Sequence, residues 1–165
     1  ALLTEERRAT GIFGILDIRE NSVISSLDRH KRAGFVLSDK SMKKDTQWSI
    51  DAMHTKTPSQ ETKIRSLSGG NQQKVILARE LESQPSLLVM AHPTRGLDIG
   101  AASFVHEQMI AARERGVGIL LISADFDEIL EMSDRILVCF EGQIMGEFSG
   151  KNPPIEEISL AMTGK

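Results

Sequence analysis

The sequence lacks four features that would assign it to a special class of protein. It has one cysteine, Cys139, among 165 residues, so no disulfide framework is possible and a reducing compartment is expected. No apolar run approaches the ~20 residues of a membrane-spanning helix, and no segment has the pattern of a signal peptide. The net charge of −3 gives no general attraction to nucleic acid or anionic lipid. The composition is that of an ordinary globular domain without a nucleic-acid partner.

A phosphate-binding loop is also missing. The pattern Gly-x-x-x-x-Gly-Lys-[Ser/Thr] does not occur in the sequence. The stretch from Gly146 to Asn152 imitates it, but it has one residue too few and no hydroxyl side chain after Lys151. We interpret this stretch as a surface turn, and we do not expect the chain to hold a nucleoside triphosphate by itself.

The first part of the chain, about residues 9–66, is predicted to be a helical subdomain. Asp17 and Glu20 have the spacing of a capping box at a helix start, and a second helix is predicted from about Lys40 to Met53. The basic cluster from Arg29 to Arg32 is predicted to be a solvated loop or helix end. A lipid or RNA surface is a poor interpretation of so short a cluster.

From Leu67 onward, about residues 67–165, strands and helices alternate. The predicted elements are a helix over Gly69–Glu82, a strand over Ser86–Met90, a helix over Ile99–Arg115, a strand over Val117–Ile122, a helix over Asp125–Met132, a hairpin over Arg135–Phe148 and a last helix after Pro154. The apolar run before Ala91 is typical of a parallel strand that is covered on both faces. This order predicts an α/β fold whose mostly parallel sheet has an antiparallel edge.

The segment from Leu67 to Lys74 combines a helix cap with two glycines. Ser68 is a natural N-cap, and Gly69 and Gly70 leave the first amides of the helix uncovered. A helix start of this kind binds anions well. Each glycine costs roughly 1 kcal/mol relative to alanine, which a merely structural cap would not require. Ser-Gly-Gly alone is also common in plain loops, so the function depends on its context.

In the context of the following strand–helix pattern, the octapeptide from Leu67 to Lys74 resembles the signature motif of ABC ATPases. The chain resembles the second, C-terminal nucleotide-binding domain of the tandem ATPase subunits of bacterial simple-sugar ABC importers. The other stretches that carry this resemblance are Leu2–Arg8, Asp45–Trp48, Lys56–Pro58, Pro93–Asp98 and Ser133–Ile136. The first third is most similar to the galactoside branch, whereas Ala91–Pro93 and Phe104–Glu107 resemble the nucleoside branch. The transported substrate therefore stays open between galactoside, ribose and nucleoside.

The resemblance implies a partial ABC-ATPase (P-loop NTPase-like) domain whose Walker A half is absent. In an ATP sandwich, the signature residues Ser68, Gly69, Gly70 and Asn71 would face ATP that another domain holds. Asp98 matches the D-loop, which crosses the dimer interface, and it is also a candidate N-cap for the next helix. ATP and Mg²⁺ are implied for the parent complex, and neither is expected in the fragment.

The implied partners are the first nucleotide-binding domain of the same polypeptide, membrane permease subunits and, indirectly, a periplasmic or extracellular substrate-binding protein. The implied location is the cytoplasmic face of the bacterial inner membrane. Because the chain begins with Ala1 rather than Met, we expect it to be part of a longer polypeptide. The sheet edge exposed in such a fragment favours self-association.

Three positions depart from the family pattern of an active ATP site. Ala91 stands where the family has the aspartate that orients Mg²⁺, and His92 stands at the position of the catalytic glutamate. Ala124, the third, replaces the switch histidine. In addition, Glu5 lies near the position of the Q-loop glutamine. His92 is either a weak substitute base or a non-catalytic spacer. Three changes at separate chemical roles indicate a degenerate site, and the isolated fragment is predicted to be inactive.

These observations leave three hypotheses. In the preferred one, the chain donates its signature to a partner ATP site and so powers sugar import. In the alternative, the domain hydrolyses ATP itself, with His92 as base and a phosphate-binding loop upstream of Ala1. A nucleoside importer subunit or a non-transport ABC protein is the further alternative.

Overall fold

A computed structural model describes residues 1–32 and 35–164. The chain forms two compact units, Ala1–Ile122 and Ser123–Lys165. The elements of the first unit are β1 (Leu2–Leu3), a π-helical turn (Arg7–Gly11), α1 (Ile18–Val23), a 3-10 helix (Ile24–His30), β2 (Lys31–Arg32), β3 (Val36–Leu37), α2 (Asp39–Ala52), a 3-10 turn (Ile64–Ser66), α3 (Gly69–Glu82), β4 (Leu87–Ala91), α4 (Ile99–Glu114) and β5 (Gly118–Ile122). Those of the second unit are α5 (Phe126–Met132), β6 (Arg135–Phe140), β7 (Gln143–Ser149) and α6 (Ile155–Ala161). Among the described residues, no helix combines the length and apolar character needed to cross a membrane.

A parallel sheet with the strand order β1–β4–β5 forms the centre of the first unit. One face of β4 is fully covered, since Leu88 and Met90 are 0% exposed, and α3 and α4 contact the sheet strands. On the opposite face Leu87 is 50% exposed, and Leu120 of β5 is 48% exposed. The prediction that this strand is covered on both faces is therefore wrong for the residues described here. Alternate side chains of a strand point to opposite faces, and only one face carries helices.

The helical region contains the predicted caps. The Asp17 carboxylate accepts a hydrogen bond from the Glu20 N–H at 2.8 Å, and the Glu20 carboxylate accepts one from the Asp17 N–H at 2.9 Å. This confirms the capping box. The basic cluster is not solvated throughout, because His30 is 1% exposed and its Nδ1 lies 3.0 Å from the Ser41 hydroxyl. A short polar partner on α2 lets the imidazole enter the interior, which the charge pattern does not reveal.

The second unit is a hairpin packed with helices. Its core consists of Ile136, Val138, Ile158 and Ala161. β6 and β7 pair with each other as a separate two-stranded sheet, so the described strands give the parallel sheet no antiparallel edge, contrary to prediction.

The turn of the hairpin explains its geometry. Glu141 and Gly142 have φ values of 47° and 79°, as a two-residue hairpin turn with two left-handed residues requires. The start of the predicted surface turn, Gly146–Ser149, lies in β7, because these residues continue the pairing with β6. Cys139 is exposed on β6.

Candidate functional site

The signature turn is the start of α3. Ser68 has extended backbone angles, and its hydroxyl accepts a hydrogen bond from the Asn71 N–H at 3.4 Å, which confirms the predicted cap. The N–H groups of Gly69 and Gly70 have no carbonyl partner within the helix, because first-turn amides precede any acceptor. Together with the positive end of the helix dipole, they form a surface that favours an anion.

Two buried amide side chains link α3 to the neighbouring segments by hydrogen bonds to backbone carbonyls. The Gln72 amide is 1% exposed and donates to the carbonyls of Ile64 and Leu67 at 3.3 and 3.0 Å. The Gln73 amide is 2% exposed and donates to the Pro93 carbonyl at 2.9 Å. Sequence reasoning missed both residues. The available signal was two adjacent polar residues on the inward face of a helix that is otherwise apolar there.

Asn71 connects the turn to a neighbouring loop. Its Nδ2 donates to the Ser68 hydroxyl at 3.0 Å, and its Oδ1 accepts a hydrogen bond from the Lys56 N–H at 2.9 Å. The side chain predicted to bind nucleotide is thus already engaged in holding the loop beside the turn. These two hydrogen bonds help to fix the conformation of the signature turn, and nucleotide binding by Asn71 stays a prediction.

The start of α4 lies beside the start of α3. Asp98 caps α4, since its Oδ1 accepts a hydrogen bond from the Ala101 N–H at 2.9 Å, as predicted. A Cβ on Gly70 would lie 2.9 Å from the Cβ of Ala101. The N-terminal turns of α3 and α4 therefore touch, and only glycine fits at residue 70 without displacement.

A cleft of about 310 Å³ opens between these helix starts. It is lined by Lys56, Ser68, Gly70, Asn71, Lys74, Asp98, Gly100 and Ala101. The structure thus brings together the predicted residues Ser68, Gly70, Asn71 and Asp98. Lys56 and Lys74, to which the sequence patterns assigned no role of their own, also line the cleft.

Lys74 carries the main electrostatic feature of the cleft. Its Nζ donates to the His54 carbonyl at 3.2 Å and lies 4.3 Å from the centroid of the Phe104 ring. Burial lowers the pKa of Lys74, and the positive charge of Lys56 lowers it further, whereas the Asp98 carboxylate raises it. The cleft therefore holds its positive charges close to one carboxylate.

The end of β4 lies in the same unit as the signature turn. Ala91 closes the strand, and His92 follows with a φ of 48°, half-buried, with its N–H donating to the Ile122 carbonyl at 2.7 Å. Within residues 1–32 and 35–164, no group of three or more His, Cys, Asp or Glu side chains is arranged to hold a metal ion. Ala124, the third altered position, belongs to the other unit and is exposed.

The segment after β1 also reaches the site. Glu5, near the predicted Q-loop position, forms an ion pair with Arg95. The Arg7 guanidinium lies 3.5 Å from the point where a Cβ on Gly69 would stand and 3.7 Å from that of Gly96. Burial, and secondarily the charge of Arg8, lowers the pKa of Arg7. A cation therefore stands beside the signature glycines.

Comparison with known proteins gives close sequence relatives and a shared fold. No family model matches the chain. It is 48% identical over 158 residues to the galactose/methyl galactoside import ATP-binding protein of Vibrio vulnificus, covering 96% of the chain and 32% of the relative. The protein of the same name from Fusobacterium nucleatum is also 48% identical, with the same coverage of 96% and 32%. The chain thus spans about a third of the length of the curated relatives it matches.

Solved structures show the fold. A dimeric ATP-binding cassette in a post-hydrolysis state with ADP and Pi superimposes with a TM-score of 0.73 at 20% identity, covering 90% of this chain and 61% of that one. A nucleotide-free ATP-binding cassette from an ABC transporter gives a TM-score of 0.69 at 22% identity, covering 91% and 60%. The predicted α/β class, with its parallel sheet and C-terminal hairpin, is confirmed. The chain has the ATP-binding cassette fold and is homologous, over nearly all its length, to a segment in the C-terminal half of these ABC importer ATP-binding proteins.

Proposed function

We propose that this chain donates its signature turn to an ATP site whose phosphate-binding loop lies on another nucleotide-binding domain. The observation that carries the proposal is a signature turn that is held by hydrogen bonds, in a domain whose strand β4 ends at Ala91. The N–H groups of Gly69 and Gly70 and the Ser68 hydroxyl would then bind the terminal phosphate of that ATP. These donors are in place before the phosphate arrives, so no reorganisation is needed.

The residues of the chain fit the phosphates of ATP but not Mg²⁺. The helix start provides N–H donors and a positive dipole end, which favour a negatively charged group. At the end of β4, the methyl group of Ala91 offers no oxygen ligand, and Mg²⁺ prefers oxygen ligands. We therefore assign Mg²⁺ to the partner domain. The chemistry that ATP supplies when bound is phosphoryl transfer to water.

Asp98 would complete the donated surface. Its carboxylate caps α4 and at the same time lines the cleft next to Gly70. A carboxylate held by a backbone N–H has little rotational freedom, so it would present a fixed acceptor toward the partner domain. On this proposal, Ser68 and Asp98 contact one shared interface.

The names of the relatives suggest the biological setting. They are import ATP-binding proteins for galactose and methyl galactoside, and we propose the same class of sugar here, with ATP hydrolysis driving its uptake. The partners would be a first nucleotide-binding domain in the same polypeptide, membrane permease subunits and, indirectly, a substrate-binding protein. The protein would act at the cytoplasmic face of the bacterial cell membrane.

A second candidate function rests on His92. Its half-buried position at the end of β4 is where a general base would stand, and an imidazole can accept a proton near neutral pH. On this hypothesis the domain hydrolyses ATP itself. In the first function ATP hydrolysis requires Ser68, whereas in the second it requires His92.

The test compares three alanine variants in the full-length protein. Ser68→Ala should lower the ATPase rate by roughly 100-fold, as loss of a preorganised donor does, whereas His92→Ala should change it less than about twofold. Ser38→Ala is the matched control, because Ser38 caps another 14-residue helix with the same 3.4 Å bond. Both serine variants should lose about 1 kcal/mol of stability, but only Ser68→Ala should lose activity. Strong inactivation by His92→Ala, with activity retained in Ser68→Ala, would establish the second candidate instead.

A further inference from the structure

Gln73 joins the signature helix to the segment that leads to Asp98. It lies on α3 one turn after Ser68, and its buried amide donates to the Pro93 carbonyl at 2.9 Å. Pro93 is itself buried and has no N–H group, so its carbonyl is the only polar backbone group by which this residue can be anchored. The hydrogen bond therefore fixes Pro93, the second residue after the end of β4, to the signature helix.

The segment between Pro93 and Asp98 is tightly folded. The Arg95 N–H donates to the His92 carbonyl at 3.2 Å, and the Leu97 N–H donates to the Thr94 carbonyl at 3.0 Å. Gly96 adopts a φ of 68°, which glycine tolerates at little cost. Two successive turns thus connect Pro93 to Leu97, the residue that precedes Asp98.

Gln72 provides an internal contrast. It is on the same helix and is buried to the same degree, but its amide donates to the carbonyls of Ile64 and Leu67, which precede Ser68 in the chain. Gln72 therefore holds the segment before Ser68, whereas Gln73 holds Pro93, which lies five residues before Asp98. Both side chains are amides, but their hydrogen-bond acceptors lie in different segments of the chain.

We propose that Gln73 is a positioning residue that sets the location of Asp98 relative to the signature turn, so that both meet the same nucleotide on a partner domain. The expected effect of Gln73 on catalysis rests on the proposed function. Its expected effect on local structure rests only on the contacts that Gln73 makes. The close approach of Gly70 to Ala101 means that a small shift of α4 would change the cleft directly.

A double-mutant cycle in the full-length protein tests the coupling. Gln73→Met and Asp98→Ala should each lower the ATPase kcat by roughly three- to thirtyfold, and the double variant should be no slower than the slower single variant, because residues in one network are not additive. Gln72→Met combined with Asp98→Ala should instead give the product of the two single effects. Multiplicative effects for Gln73 and Asp98 would overturn the proposal.

Amide hydrogen exchange gives a readout that does not depend on activity. Gln73→Met should raise exchange about tenfold or more at the amides of residues 95–101 relative to Gln72→Met, because the local opening free energy falls when an anchor is lost. Gln73→Asn, which keeps the amide but shortens its reach by one methylene, should give the same pattern. Equal exchange in the Gln72 and Gln73 variants would overturn the inference.

The inference and the proposed function can fail separately. If Ser68→Ala leaves ATPase activity unchanged while Gln73→Met still loosens residues 95–101, the proposed function is wrong and the positioning of Asp98 holds. If Ser68→Ala inactivates the protein while the Gln73 and Asp98 effects multiply, the positioning role is wrong and the proposed function holds.

Discussion

Gly70 and Ala101 bring two helix starts into direct contact, because a Cβ on residue 70 would lie 2.9 Å from the Cβ of Ala101. Contacts between Cβ atoms this short do not occur in relaxed structures, so the glycine is required by packing as well as by its free amide. The second signature glycine therefore has two physical roles. It leaves the first turn of α3 open, and it lets α4 approach closely enough for Asp98 to line the same cleft.

Gly70→Ala should accordingly destabilise the protein even though alanine is the better helix former. Overpacking at this contact is expected to lower the free energy of unfolding by about 1–3 kcal/mol. Ala101→Gly in the same chain removes the opposing methyl group and should recover most of that loss, apart from the helix propensity of residue 101. Urea denaturation of the single and double variants measures this. Equal destabilisation with and without Ala101→Gly would show that the contact is not the cause.

The pKa of Lys74 should respond in opposite directions to its two charged neighbours. Asp98→Asn removes the carboxylate that raises the pKa and should therefore lower it, whereas Lys56→Gln removes a repelling cation and should raise it. Both variants nearly preserve side-chain volume. Titration of the Lys74 side-chain signal by NMR is the measurement, and a shift of the same sign in both variants would contradict the arrangement of charges in the cleft.

Glu82 should make stability depend on pH in the direction opposite to an ordinary surface carboxylate. Its side chain is 11% exposed at the end of α3, and burial raises its pKa above 4.5, only partly offset by Arg29, whose Nη1 lies 3.5 Å from the carboxylate. A carboxyl with a raised pKa contributes stability below pH 4.5, and this contribution is lost as the pH rises through the raised value.

Replacing Glu82 by glutamine should remove the loss of stability that accompanies ionisation of this carboxyl as the pH rises. Glu82→Gln is expected to raise the denaturation midpoint at pH 7 and to weaken the dependence of stability on pH above 4.5. Arg29→Gln, which removes the compensating cation, should have the opposite effect. Denaturation curves at several pH values measure both variants. A lower midpoint for Glu82→Gln at pH 7 would mean that the ion pair with Arg29 outweighs the burial of the carboxylate.

The helices and their starts could be predicted because local chemistry determines them. The caps of Asp17, Ser68 and Asp98 follow from side chains that reach the backbone three residues ahead, and all three are present. The hairpin follows from Glu141 and Gly142, which accept left-handed angles. These elements need no information from distant parts of the chain.

The remaining features depend on tertiary contacts that one-dimensional patterns do not contain. His30 is buried because Ser41, eleven residues away, offers a partner, and the apolar run in β4 does not reveal that only one face is covered. Gln73 looks like a surface residue until the Pro93 carbonyl, twenty residues later, is placed beside it. Polar residues on the inward face of a helix are the sequence signal for such links, but the acceptor cannot be read from spacing.

The location of the terminal phosphate is the most direct test of whether the signature serves a partner site. The measurement is photocleavage of the full-length protein after vanadate has been trapped with Mg-ADP, with the cut sites in this chain identified by mass spectrometry. The proposed function predicts backbone cleavage at Ser68 and its loss in Ser68→Ala, but not in the matched cap variant Ser38→Ala. Cleavage at the end of β4, beside Ala91 and His92, with none at Ser68, would contradict it.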